Sequence, residues 1–148
     1  MNRDEYDDAI TFYQLARNKD PRNSMVLNNL SFALLKTESS KRNPEQALIL
    51  VDQAIYEIAN SRTLDAGQRE AIAASLKDTR GVALIQLGRF SDAVAELESA
   101  SVLRPNSIEI LKRLLQCYQE LENEAAVVTL QKRIDELSAK TKNSESAQ

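Results

Sequence analysis

The side chains best suited to chemistry in this sequence are few and poorly matched to one another. Cys117 is its one thiol. A thiolate nucleophile needs an electropositive setting and a base, and none of the 148 residues is a histidine. Cys117 sits among Leu114, Leu115 and Tyr118, which marks it as a small, partly buried helix residue. One cysteine cannot form an internal disulfide. The missing histidines also remove the commonest metal ligand. Asp4, Glu5, Asp7 and Asp8 form an acidic group that could suggest a cation site. The first turn of a helix favours the same composition, because carboxylates complement the positive end of its dipole. Glu120, Glu122 and Glu124 read as a solvated turn. No two carboxylates share an apolar setting of the kind that general acid–base work requires. Gly88 is isolated and closes a hairpin rather than opening a phosphate-binding loop. The expectation is a non-enzymatic protein without cofactor or metal.

Composition narrows the partners. Apolar residues make up 43% and charged residues 28%, with a net charge of −3, as in an ordinary globular domain with one continuous core. Lys and Arg are scattered, so no nucleic-acid partner is expected. The apolar runs are far shorter than a bilayer span, so no membrane insertion is expected. The N-terminus is acidic rather than signal-like. A cytoplasmic location is the default expectation.

The elements that position these residues come from an internal repeat. Ala9 and Ala16, Ala47 and Ala54, and Ala93 and Ala100 are each seven residues apart. Seven residues make two helical turns, so both members of a pair lie on one face. A small residue there lets a neighbouring helix approach closely. Pro21 and Pro105 each follow the second Ala by five residues and mark a helix stop. Between these segments, apolar residues recur three and four apart in Ser24–Lys36, in residues 66–87 and in Ile108–Glu120. Asn43 before Pro44, with Gln46, gives one start signal, and Asn106 with Glu109 gives another. No stretch alternates with period two, so no sheet is expected. The reading is all-α with seven helices. One helix, at 4–18, has no hairpin partner. Hairpins follow at 24–59, 66–104 and 107–139, so that residues 1–139 form one repeat domain. The loop from Glu38 to Arg42 is a solvated insertion, and the polar tail at 140–148 is expected to be disordered.

The unit from Ala74 to Ser107 resembles the tetratricopeptide repeat family. Gly81, Leu84, Gly88, Phe90, Ala93, Leu97, Ala100 and Pro105 stand at that family's spacing. The units at Asn23–Ala59 and Ile108–Leu137 match it more loosely. NNLSFALL from Asn28 and DTRG from Asp78 resemble terminal repeats of bacterial members. The resemblance implies a right-handed α–α superhelix that serves as a protein-interaction scaffold, here a part of a larger bacterial protein. It also implies that the first helix of each hairpin lines a concave groove for a peptide or protein segment. Carried over by position, that groove includes Asn28, Phe32, Leu35 and Lys36. Next come Asp78, Val82, Ile85 and Gln86, then Lys112, Gln116, Gln119 and Glu120. Some members clamp a carboxylate tail with Lys, Asn and Arg. Only Asn29 and Arg113 stand where such residues belong, with Ser75 and Thr79 failing to complete the set, which speaks against that partner.

Two departures from the repeat matter. Arg133 replaces the second Ala of the last unit, so the stack should stop there with a polar face. At the other end, the face carrying Tyr6, Ile10 and Tyr13 lacks a preceding helix. The alternative function is therefore self-association into a homodimer through this N-terminal helix.

Overall fold

The computed structural model describes the backbone of residues 3–145 and the side chains of residues 5–140. Among these residues there are seven helices and no strand: α1 (Arg3–Lys19), α2 (Ser24–Lys36), α3 (Pro44–Ala59), α4 (Ala66–Gln86), α5 (Phe90–Leu103), α6 (Ile108–Glu120) and α7 (Glu124–Glu145). Residues 140–145, expected as a disordered tail, continue α7. Residues 146–148 lie outside the described residues.

Local signals start the helices. Asn23 Oδ1 accepts from the Val26 amide at 3.2 Å, and Asn43 Oδ1 from the Gln46 amide at 2.9 Å. Asp65 and Gln68 exchange side-chain and backbone hydrogen bonds as a reciprocal cap on α4. For α6 the capping side chain is Ser107, not Asn106, which falls within the preceding turn. Gly88, at φ +71°, closes the α4–α5 turn. The amides of Gly88 and Arg89 then reach the carbonyls of Ile85 and Leu84, at 3.0 and 2.8 Å. Glu122 does the same work after α6 at φ 54°, a left-handed conformation that costs a residue with a Cβ about 1–2 kcal/mol.

Each helix packs chiefly on its chain neighbours: α2 on α3, α4 on α5 and α6 on α7 form hairpins, and α3–α4 and α5–α6 join them. This is the nearest-neighbour architecture of a repeat stack. The alanine pairs make these crossings, for Ala47, Ala54, Ala93 and Ala100 are fully buried. Gly81 faces Leu97 across the α4–α5 hairpin, so closely that a Cβ on Gly81 would lie 2.7 Å from Leu97 Cγ and Cδ2. Ser31 holds the matching place in α2, fully buried, with its hydroxyl donating to the Ala47 carbonyl at 2.8 Å.

Among the described residues helix α1 has no hairpin partner, but it is not loose. It packs on α2 through Tyr6, Ala9, Ile10 and Tyr13. Asp7 also anchors it to the insertion after α2, its Oδ1 accepting from Thr37 Oγ1 at 2.6 Å and from Ser39 Oγ at 2.8 Å.

Candidate functional site

The curvature of the stack follows from which helices touch. The first helices of successive hairpins meet, α2 with α4 and α4 with α6, whereas α3 and α5 do not meet, nor do α5 and α7. The stack is therefore tighter on the side of α2, α4 and α6. These three helices line its inner face.

On α2, Phe32 is half-buried and held between two neighbours. The Tyr6 ring meets it edge-on at 6.5 Å, and Lys36 Nζ lies 5.5 Å from its centroid, a cation–π distance. Lys36 itself is exposed. Asn28 is half-buried, and its Oδ1 is buried without a hydrogen-bond partner. On α4, Asp78 is bound by α6, because Arg113 Nη1 donates to both of its oxygens at 2.5 and 2.6 Å. Gln86 bridges back to α2, donating to the Leu35 carbonyl at 3.0 Å and accepting from Arg42 Nε at 3.3 Å. It thereby satisfies a carbonyl that the end of α2 leaves open. Ile85 packs, half-buried, against the buried cluster of Leu84, Leu97, Ile110 and Leu114. On α6, Lys112, Gln116, Gln119 and Glu120 are exposed.

Two of the groove residues expected from the sequence belong to the core instead. Leu35 is 2% exposed and Val82 9%. In a stack, the last turns of an inner helix are covered by their own partner and by the next hairpin, so apolar residues at groove positions are absorbed into packing. The N-terminal face needs the same correction. Ile10 is 1% exposed and cannot meet a second subunit. Tyr6 and Tyr13 are half-buried, and Tyr13 Oη accepts from Asn29 Nδ2 at 3.2 Å. The apolar residues that α1 leaves in water are Phe12, 64% exposed, and Leu15, 61% exposed. The repeat holds the signal that finds Phe12. It stands three residues after Ala9, as Leu50 stands after Ala47, and Leu50 is fully buried in one core cluster with Leu27, Leu30 and Leu34 of α2, whereas Phe12 has no described helix over it.

Neither carboxylate-clamp candidate is available, since Asn29 is held by Tyr13 and Arg113 by Asp78. Cys117 is fully buried, and desolvation pushes its thiol up to about 11, so it stays neutral at physiological pH and makes a poor nucleophile. The phenol of Tyr118 is raised to about 12, first by its hydrogen bond to Glu98, a contact of 2.5 Å that ties α6 to α5. Among the described residues, no group of three or more acidic or sulfur ligands stands close enough for a metal ion. No described helix is long and apolar enough to cross a membrane.

The same architecture occurs in solved structures of MamA, a tetratricopeptide-like helical protein. MamA MSR-1 superposes with a TM-score of 0.70 at 20% identity, over 93% of this chain and 70% of that one. MamA AMB-1 gives 0.67 at 21% identity, over 88% of this chain and 68% of that one. At such identities the likeness concerns the fold: an all-α stack of antiparallel hairpins. No protein-family model matches the chain, and no curated protein matches it.

Proposed function

We propose that this protein is a docking scaffold that holds a peptide or protein segment along the inner face of its hairpin stack. The observation that carries this reading is the state of that face. Phe32, Lys36, Lys112, Gln116 and Gln119 remain at least partly accessible there, while the neighbouring groups Asp78, Arg113 and Gln86 are tied to one another's helices and hold the surface rigid. A rigid, pre-formed trough lowers the ordering cost of binding. Phe32 offers an aromatic anchor. Lys36 and Lys112 favour a segment with a carboxylate near its apolar residue.

The test uses the partner recovered by affinity capture with the intact chain. Phe32→Asp and Lys112→Glu should each weaken its binding, by at least about tenfold for the aromatic anchor, with helicity unchanged by circular dichroism. Lys112 is exposed, so its substitution leaves folding intact. Wild-type affinity in both variants contradicts the assignment.

A second reading rests on Phe12 and Leu15. Phe12 is exposed on α1 at the register where Leu50 is buried on α3, with Leu15 exposed beside it, which favours a homodimer through this face. Light scattering should then show a dimer that Phe12→Glu converts to monomer. A monomer at high concentration rules it out.

A further inference from the structure

Seven residues, 37–43, connect α2 to α3, whereas three, 87–89, connect α4 to α5. The longer connection is not a loose insertion. Thr37 is fully buried, Ser39 Oγ accepts from the Lys41 amide at 3.1 Å, and the Asn43 amide returns to the Leu34 carbonyl at 3.3 Å. With the Asp7 anchor, these bonds fix where Arg42 leaves the chain.

Arg42 is exposed, yet its guanidinium is aimed. Its Nε donates to Gln86 Oε1 at 3.3 Å, while Gln86 Nε2 donates to the Leu35 carbonyl. Gln86 thereby ties Arg42 to the last turn of α2, which carries Lys36 and its contact with Phe32. Arg22, Arg80, Arg89 and Arg113 each meet a carboxylate. Arg42 meets none among the described residues, and its two Nη nitrogens stay open to solvent. Asp7 is engaged by Thr37, Ser39 and Lys41 instead. The Nη pair of a guanidinium is a planar fork that matches the two oxygens of a carboxylate. Lys36 adds a second positive charge at this corner, and Phe32 offers an aromatic face to an apolar side chain.

We propose that Arg42 is the specificity-determining residue of the inner-face trough. It grips the side-chain carboxylate of an acidic segment whose neighbouring apolar residue meets Phe32. The inference rests on the docking reading above and adds the class of segment, which charge complementarity selects. Amide NMR titration of the full chain tests it with two capped peptides, acetyl-Leu-Asp-Asp-Leu-amide and its Asn-Asn counterpart. Capping removes the terminal charges, so a preference between the two comes from their side chains. The Asp peptide should saturably shift the amides of Phe32, Lys36 and Gln86 and bind about tenfold tighter than the Asn peptide. Arg42→Gln, at an exposed position, should weaken the Asp peptide about fivefold and leave the Asn peptide unchanged, with the same circular dichroism spectrum. The proposal is overturned if neither peptide shifts these amides, if the two bind equally, or if Arg42→Gln binds the Asp peptide like wild type. Tighter binding of inorganic phosphate at the same amides would also overturn it, by assigning the fork to a phosphorylated ligand. Each of these results leaves the docking reading standing if Phe32→Asp still weakens the captured partner, because that test does not involve Arg42.

Discussion

Gly81→Val is expected to lower stability by about 3 kcal/mol, enough to move the melting temperature of a domain this size by roughly 10 °C. The reason is local. Even the first carbon of a side chain at residue 81 meets Leu97 at 2.7 Å, and Leu97 is fully buried with no room to retreat. Valine adds two further methyl groups at the closest point of the α4–α5 crossing. Alanine is a milder case, because its better helix propensity offsets part of the clash. Leu97→Ala alone should cost about 3 kcal/mol through the cavity it opens. In the double variant, the alanine at residue 81 fills part of that cavity, so the two costs should sum to less than their separate values by about 1 kcal/mol or more. Urea denaturation of the four proteins reads this coupling directly. Strict additivity would mean that the two residues do not limit the crossing.

Ala100→Arg should undock the last hairpin. Ala100 is fully buried in the cluster that includes Ile110, Leu114 and Cys117. One repeat later, the same register holds Arg133, which is exposed and donates to the Pro105 carbonyl at 2.5 Å. The side chain tolerated where the described stack stops is thus placed where the stack must continue. Burying an unpaired arginine costs several kcal/mol, more than one helix–helix contact supplies. Because helices touch chiefly their chain neighbours, the damage should stay with α6 and α7. Limited trypsin digestion should cut rapidly after Lys112 and Arg113 of the undocked α6 and leave α1–α5 protected. Digestion at the wild-type rate would mean that the alanine stripe does not set the crossing.

Much of the fold is legible in the sequence because small residues must recur where helices cross. The Ala47–Ala54 and Ala93–Ala100 pairs alone fix two crossings, and all four side chains are fully buried. Gly88 and the cap at Asn43 are equally readable, since each answers a local backbone demand. The start of α6 is harder to read, because Asn106 and Ser107 are adjacent and both are good caps, and it is Ser107 that accepts from the Ile110 amide.

The candidate site is less legible, for two physical reasons. Sequence position tells which way a residue points, but not how many neighbours cover it. Leu35, Val82 and Ile10 are enclosed by neighbours that the local sequence does not reveal. Side-chain pairing over long separations also leaves no local signal. Nothing near Asp78 announces Arg113, 35 residues on, or near Gln86 the Leu35 carbonyl, 51 residues back.

Hydrogen–deuterium exchange on the full chain, with and without its captured partner, probes the docking surface most directly. Protection should rise along α2, α4 and α6 around Phe32, Gln86 and Gln116, while the outer helices α3 and α5 exchange as before. Protection confined to α3 and α5, or to α1 around Phe12, would place the partner elsewhere and contradict an inner-face trough.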